Sequence, residues 1–238
     1  MTAEDVKTAL QTYANPEDAA MVQRYFKTGE GQYGAGDVFI GVRVPDTRKV
    51  CKTFKNLPLS EVELLLASEI HEHRLAAVIL LANAYARADH AAQRSIYECY
   101  LAAVYDGQVN NWDLVDASAE FIIGPYLFDR PRDLLFDLAK SDAVWQRRVA
   151  VMSSFHFIKQ GDASTTLRLA EVLLHDSHDL IQKAVGWMLR EIGKRCDRAL
   201  LLGFLEAHAA VMPRTMLRYA VEHLSPEQKA DFMSRKAT

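Results

Sequence analysis

The chain has few of the residues that break helices or cross-link chains. Its 238 residues include 11 glycines, 7 prolines and three cysteines. Cys51, Cys99 and Cys196 are an odd number, lie far apart and form no CxxC pair. This pattern argues against both a disulfide framework and a zinc site. We therefore expect a protein without a metal or other cofactor.

An excess of positive charge and long apolar runs are also absent. The formal net charge is −3, whereas a generic nucleic-acid binder usually carries a positive excess. If the partner is DNA, basic residues must therefore be gathered on one face. Residues 1–5 are polar and show no secretory signal, and no run reaches the length of a membrane span. The sequence predicts a cytoplasmic monomer with a single domain over residues 1–238 and no membrane contact.

Hydrophobic periodicity predicts an all-α protein. Apolar residues recur at helical spacing along most of the chain, and several prolines stand where helices are expected to begin. The predicted helices cover 3–13, 16–27, 46–56, 60–67, 70–86, 90–105, 111–123, 130–140, 144–159, 163–174, 178–195, 198–209, 214–223 and 226–235.

A weak internal repeat indicates how these helices are arranged. Basic-then-apolar segments around Arg74, Arg148 and Lys183 align, and their spacings correspond to steps of 37, 37 and 35 residues. The missing step falls at Asn111. Helical pairs of this length favour a HEAT-like repeat solenoid with a concave surface, although coincidence among short helix openings would give the same pattern.

The segment 28–44 interrupts the helical pattern. Four glycines between residues 29 and 36 precede the alternating segment 38–44. This composition predicts a Gly-rich loop or a short β-hairpin inserted between helices. Its literal GxGxxG match precedes a strand-like segment rather than a helix, so a dinucleotide site is not indicated.

The predicted helix around Trp187 has two distinct faces. At about 100° per residue, Trp187 and three cations lie within about 60° of one another, and the apolar residues lie on the far side. The cations are Lys183, Arg190 and Lys194. Because cations attract phosphate and an aromatic plane can contact a base or sugar, this face predicts nucleic-acid binding.

Trp112 and Asp116 are four residues apart and therefore neighbours on one helical face. Leu114, Ser118 and Phe121 are expected on the opposite face. One interpretation is a packed indole with Asp116 capping a helix or pairing with an arginine. The other is a site for a cation, because an indole face and a carboxylate both attract positive charge.

Several segments resemble successive motifs of the AlkD-like DNA alkylation repair family. They are 112–116, 145–148 and 181–191, with 24–27 similar to the family's N-terminal helix and 212–219 to its C-terminal end. The resemblance covers nearly the whole chain.

The resemblance implies a monofunctional DNA N-glycosylase that hydrolyses the glycosidic bond of positively charged N3- and N7-alkylated purines in double-stranded DNA. It implies that Trp112, Trp187 and Asp116 line the cleft and contact the sugar of the lesion without deep flipping of the base. It also implies that Arg148 binds the DNA backbone and that Tyr25 is the family's N-terminal tyrosine. The predicted DNA contacts are therefore made by Arg148 and Tyr25 together with Lys27, Lys183, Arg190 and Lys194.

Two other functions remain open. The Gly-rich segment 28–37 resembles relatives that carry a β-hairpin there and bind branched DNA without base excision. A HEAT-like scaffold that binds an acidic helix of another protein would also use Trp187 and its neighbouring lysines.

Overall fold

The computed structural model describes residues 1–235 and is all-helical, with no named strand in that range. The helices are α1 (Ala3–Gln11), α2 (Pro16–Tyr25), α3 (Val44–Thr53), α4 (Leu59–Leu66), α5 (His71–Tyr85), α6 (His90–Tyr105), α7 (Trp112–Asp116), α8 (Ala119–Leu127), α9 (Asp133–Ala139), α10 (Val144–Lys159), α11 (Ser164–Val172), α12 (Asp179–Arg195), α13 (Arg198–His208), α14 (Arg214–Ala220) and α15 (Pro226–Ser234). The predicted all-α fold class is confirmed.

The predicted helix over 111–123 is the main error in the helical pattern. The chain forms α7, turns at residues 117–118, and starts α8. Phe121 therefore does not continue the face of α7, and it is 46% exposed rather than buried. Ser118 explains the break in part, because its hydroxyl donates to the carbonyl of Leu114 and contacts the buried hydroxyl of Tyr100.

The chain divides into two compact units, one ending at Ile122 and the other beginning at Ile123. In the first unit α5 is central and packs against α1, α3, α4, α6 and α7. Its N-terminal and middle turns are buried on all sides, charged residues included. These buried charges need partners, and they find them in the candidate site described below.

In the second unit, helices two apart in the chain pack on each other. α9 contacts α11, α10 contacts α12, and α12 contacts α14, while neighbours in sequence also pack. The first unit repeats this pattern with α3, α5 and α7. Such contacts are those of stacked helical pairs, as the sequence predicted.

A recurring hydrogen bond identifies equivalent positions of the repeat. Near the start of three helices, a side chain donates to the backbone carbonyl six residues earlier. The pairs are Arg74 with Ser68 at 2.6 Å, Arg147 with Ser141 at 2.8 Å and Gln182 with Asp176 at 2.9 Å. Arg74 is therefore equivalent to Arg147 and not, as the sequence alignment had it, to Arg148.

The Gly-rich segment forms a loop, one of its two predicted alternatives, and the β-hairpin does not form among the described residues. Residues 28–36 form turns, and Val38 makes one isolated parallel bridge to Ile70 just before α5. The buried Glu72 carboxylate accepts the backbone N–H groups of Ile40, Gly41 and Val42 at 2.8–3.2 Å. Because these N–H groups donate to a carboxylate, they cannot form the backbone hydrogen bonds that would pair this segment with a second strand.

No helix within residues 1–235 is long and apolar enough to span a membrane.

Candidate nucleic-acid interface

The short helix α7 presents Trp112 and Asp116 at its two ends. Asn111 caps it, since its side-chain oxygen accepts the N–H of Trp112 at 2.9 Å. Leu114 and Val115 are fully buried and anchor the helix on the first unit. Trp112 and Asp116 are half-buried, one helical turn apart. The predicted i, i+4 pair therefore lies on a helix, at the protein surface.

Trp112 joins an aromatic cluster with three rings from outside α7: Tyr25, Phe26 and Phe39. Phe26 stacks on Trp112 with ring centroids 5.1 Å apart and planes 6° from parallel. Tyr25 meets the indole edge-on at 6.1 Å and is itself 67% exposed. The predicted Tyr25 and Trp112 are thus brought together, with one ring in solvent and the other held by a buried phenylalanine.

Lys27, the residue after Phe26, has a left-handed backbone conformation with φ of 53°. Its carbonyl accepts the N–H of Gly34 at 3.1 Å. A β-carbon on Gly34 would overlap the carbonyl oxygen of Phe26, so the loop closes tightly against the end of α2. The Lys27 ammonium lies 5.6 Å from the ring of Tyr33, and its side chain is exposed.

A buried polar network lies under α7. We call Asp37, His71, Arg74 and Asp113 the His71 network. The two ring nitrogens of His71 lie 3.0 Å from Asp37 Oδ2 and 2.8 Å from Asp113 Oδ2. Arg74 donates to the other oxygen of Asp37. The side-chain nitrogens of Asn110 and Asn111 also donate to Asp37, at 2.9 and 3.2 Å.

Neighbouring charges in the His71 network shift the pKa values of His71 and Asp37. Burial would lower the pKa of His71, but the charges and hydrogen bonds of Asp113 and Asp37 outweigh it and raise the pKa to about 9. Burial opposes ionisation of Asp37 as well, yet its hydrogen bond to His71 and the charge of Arg74 lower its pKa. Near neutral pH His71 therefore carries its proton and Asp37 is ionised.

Sequence reasoning missed most of this arrangement. The sequence motifs gave His71 and Asp37 no role, and Phe26 lay inside the family-like segment 24–27 without one. Asp113 stood inside the family-like segment without a role. The contacts join residues 34 and 42 positions apart, so no local periodicity indicates them.

The second unit carries the Trp187 face on α12. The predicted apolar face is confirmed, because all five of its members are buried: Ile181, Ala184, Val185, Met188 and Ile192. Trp187 is half-buried and contacts Phe155 of α10 at 5.9 Å. Gly186 lies against α14, where a β-carbon would overlap the carbonyl oxygen of Met216. The glycine lets the two helices approach closely and so sets the position of its neighbour Trp187.

Arg148 lies on α10, which packs against α12. It is only 5% exposed, and its guanidinium donates to the carbonyl of Leu180 at 2.8 Å. The sequence had predicted a DNA-backbone contact at the surface. Arg148 is buried and does not extend from the surface. It follows Arg147, the repeat position, by one residue, and its guanidinium contacts α12 instead.

The predicted cations of α12 differ in their surroundings. Lys183 pairs with Asp179 at 2.8 Å across one turn. Arg190 pairs with Glu222 and, at 3.3 Å, with Glu191. Lys194 is exposed and makes no ion pair among residues 1–235. Of the three, Lys194 is the cation best placed to meet an added anion.

A cavity of about 360 Å³ opens beside Lys194. Its polar lining consists of basic or histidine side chains, over a floor of Leu201, Ala220 and Leu224. The polar members are Arg190, Lys194, Arg198 and His223. With no carboxylate in its lining, this cavity attracts anions rather than cations.

Fold and site together define an all-α helical-repeat protein with exposed aromatic rings and a basic edge on α12. Residues 6–224 match the model of the family described as DNA alkylation repair enzyme, and the chain belongs to that family. Its role therefore lies in DNA alkylation repair, with DNA as partner.

Comparison with solved structures agrees with the fold. The chain is similar to a predicted DNA alkylation repair enzyme from Enterococcus faecalis, with a TM-score of 0.70. The match covers 91% of this chain and 99% of that chain at 22% identity. No curated protein matches the sequence.

Proposed function

We propose that the protein is a monofunctional DNA glycosylase that releases positively charged N3- and N7-alkylated purines from double-stranded DNA. The main observation in support is that Asp116 and Trp112 lie one turn apart on α7, both half-buried at the surface of the first unit. Trp187, also half-buried, is the third proposed site residue. Family membership supports this reaction class.

The chemistry of these side chains suits a cationic leaving base. An alkylated purine of this kind already carries positive charge, so its departure needs no strong general acid. Cleavage builds positive charge on the deoxyribose, which a carboxylate and two indole faces would stabilise more in the transition state than in the ground state. We assign this role to Asp116, Trp112 and Trp187, with Asp116 also available to orient water.

Phosphate binding is proposed for the basic edge of the second unit and the start of the Gly-rich loop. Lys194 makes no ion pair among residues 1–235, and no carboxylate is part of the lining of the cavity beside it. Lys27 and Tyr25 are exposed next to Trp112. Lys183 and Arg190 contribute less in this proposal, because each already pairs with a carboxylate. Arg148 contributes only if DNA reaches its buried guanidinium.

Binding of branched or distorted DNA without excision is the second candidate function. The observation that favours it is the 28–37 loop, in which Gly29, Glu30, Gly31 and Gln32 are all exposed beside Lys27. Such a turn can enter a groove or a junction. Removal of the exposed residues 29–32, with Asp37 left in place, would then lower branched-DNA affinity more than stability.

The decisive experiment is release of base from a duplex that contains N7-methylguanine. We expect Asp116→Asn to lower single-turnover release by about a hundredfold, or about 3 kcal/mol, with DNA affinity nearly unchanged, because the amide keeps the shape and removes the charge. Asp106→Asn, which removes an exposed charge from the same unit, is the control and should leave release unchanged.

The same preparation separates the three functions. Release by the wild type supports the glycosylase. Tight junction binding without any release supports the second candidate, and a salt titration in which duplex, branched and single-stranded DNA all fail to bind leaves the protein-binding scaffold.

A further inference from the structure

His71 lies between two carboxylates that use opposite sides of its ring. Its Nδ1 is 3.0 Å from Asp37 and its Nε2 is 2.8 Å from Asp113. An ionised carboxylate can only accept hydrogen bonds. With both carboxylates accepting, both ring nitrogens donate, and the ring is doubly protonated and positively charged.

The surroundings of His71 keep water away from this charge. The side chain is 1% exposed, and Phe39 stacks on the ring at 4.3 Å while Phe26 covers it at 5.3 Å. The charged groups that face it are Asp37 from the loop and Asp113 from α7; Arg74, one turn along α5, faces Asp37. The raised pKa of about 9 agrees with this balance.

Asp113 depends on His71 for its side-chain contact. Its Oδ1 is buried and has no hydrogen-bond partner among the described residues, so the bond from His71 to Oδ2 is the only one its carboxylate makes there. Removal of that donor would leave a nearly buried carboxylate without any partner, which is strongly unfavourable.

Helix α7 needs such an external hold. It has five residues, far fewer than a helix requires to be stable by itself. Its contacts to the rest of the unit include the buried Leu114 and Val115, the rings of Phe26 and Tyr25 against Trp112, and the bond from His71 to Asp113. The last joins α7 to α5 by a charged hydrogen bond.

We propose that His71 is a positioning residue of the excision site, which through Asp113 fixes the orientation of α7 and hence of Trp112 and Asp116. This inference rests on the proposed glycosylase function for its kinetic consequence. Its structural part, the orientation of Trp112, is independent of catalysis.

The proton on His71 makes the arrangement sensitive to alkali. Because the folded pKa of about 9 is above the ordinary value of 6.5, the stabilisation from His71 is complete below pH 6.5 and is lost as the pH rises through about 9. Above that pH one ring nitrogen no longer donates, and one carboxylate loses its partner. We expect the orientation of Trp112 to change over the same range.

The first test reads Trp112 without any reaction. In a protein with Trp145→Phe and Trp187→Phe, Trp112 is the sole indole. Acrylamide quenching of its fluorescence in this protein should rise with pH, with a midpoint near pH 9. The same protein with His71→Gln should show the high-pH level of quenching at every pH, because one amide nitrogen cannot donate to both carboxylates. His73→Gln is the matched control, since His73 is buried on the same helix but contacts Ser68.

The second test measures single-turnover release from N7-methylguanine DNA by otherwise wild-type protein. His71→Gln should lower the rate about tenfold, the scale of a small misplacement of reacting groups, with little change in DNA affinity. Equal quenching and equal rates in His71→Gln and wild type would overturn the proposal. If quenching changes as expected and neither protein releases base, the positioning role stands and the glycosylase function fails.

A third measurement covers the case in which His71→Gln does not fold. In wild-type protein, nitrogen chemical shifts of the imidazole ring at pH 8 should show His71 protonated at both nitrogens. A neutral ring at that pH would contradict the proposal.

Discussion

Helices α7 and α12 each carry a proposed tryptophan, but they hold it in different ways. α12 has 17 residues, with an apolar face buried in the second unit and Trp187 at the edge of that face. α7 has five residues and depends on the ring of Phe26 and on the His71 network. A long amphipathic helix orients its side chains by its own periodicity, whereas a single turn has its orientation imposed by distant residues.

This difference predicts where each site is vulnerable. The orientation of Trp187 should respond to changes in helix packing between α12 and α14. The orientation of Trp112 should respond to changes in loop residues and in α5, which lie 34 or more positions from their partners in the sequence. The following substitutions test that contrast.

The largest stability effect is expected at Gly186. An added β-carbon would overlap Met216 and crowd Tyr219 of α14. Gly186→Ala should lower the free energy of unfolding by about 2 to 3 kcal/mol, because backbone atoms cannot move aside easily. Urea unfolding measures this.

The matched control is Gly203→Ala in α13, where the added carbon meets no atom within 4 Å. Stability should rise by up to about 1 kcal/mol there, since alanine is the better helix former. Equal effects at the two glycines would show that close packing of α12 on α14 does not matter.

A smaller loss is expected at Phe26. Phe26→Leu removes the ring that contacts Trp112, Phe39 and His71, and should cost about 1 to 2 kcal/mol. Phe204→Leu is the comparison in the second unit, because that buried ring has a single described aromatic partner, His208. If thermal unfolding shows the same loss for both, the aromatic cluster does not support α7 more than ordinary burial would.

The smallest effect concerns DNA binding. Lys194→Ala should lower the slope of log affinity against log salt by about one unit, the value for one lost phosphate contact. Lys183→Ala should lower it by less, because Lys183 pairs with Asp179 in the free protein. A larger slope change at Lys183 than at Lys194 would place DNA on a different part of α12.

Local pattern was sufficient for most of the helices. The bounds predicted for 90–105 and 144–159 match α6 and α10 residue for residue. The apolar face of α12 was also predicted correctly, as was the i, i+4 placement of Trp112 and Asp116. The break after Asp116 was not predicted, since it depends on a contact of Ser118 with Tyr100 of another helix.

The candidate site divides along the same line. The side chains expected at the surface were identifiable, because indoles and cations stand out against a helical apolar pattern. The sequence could not show which of these cations is free to bind phosphate. Arg148 is buried, and Arg190 pairs with Glu222, a residue 32 positions away. The Gly-rich segment was recognised as non-helical, but Glu72 decided that it forms a loop and not a hairpin.

The sequence by itself determined the all-α class and the positions of most helices, because helical periodicity acts over a few residues. Only the tertiary structure decided how α7 is held, which arginines are buried, and that His71 carries a proton between Asp37 and Asp113. Those properties depend on charges brought out of water next to one another, and the energy of a buried charge is set by neighbours in space rather than in sequence.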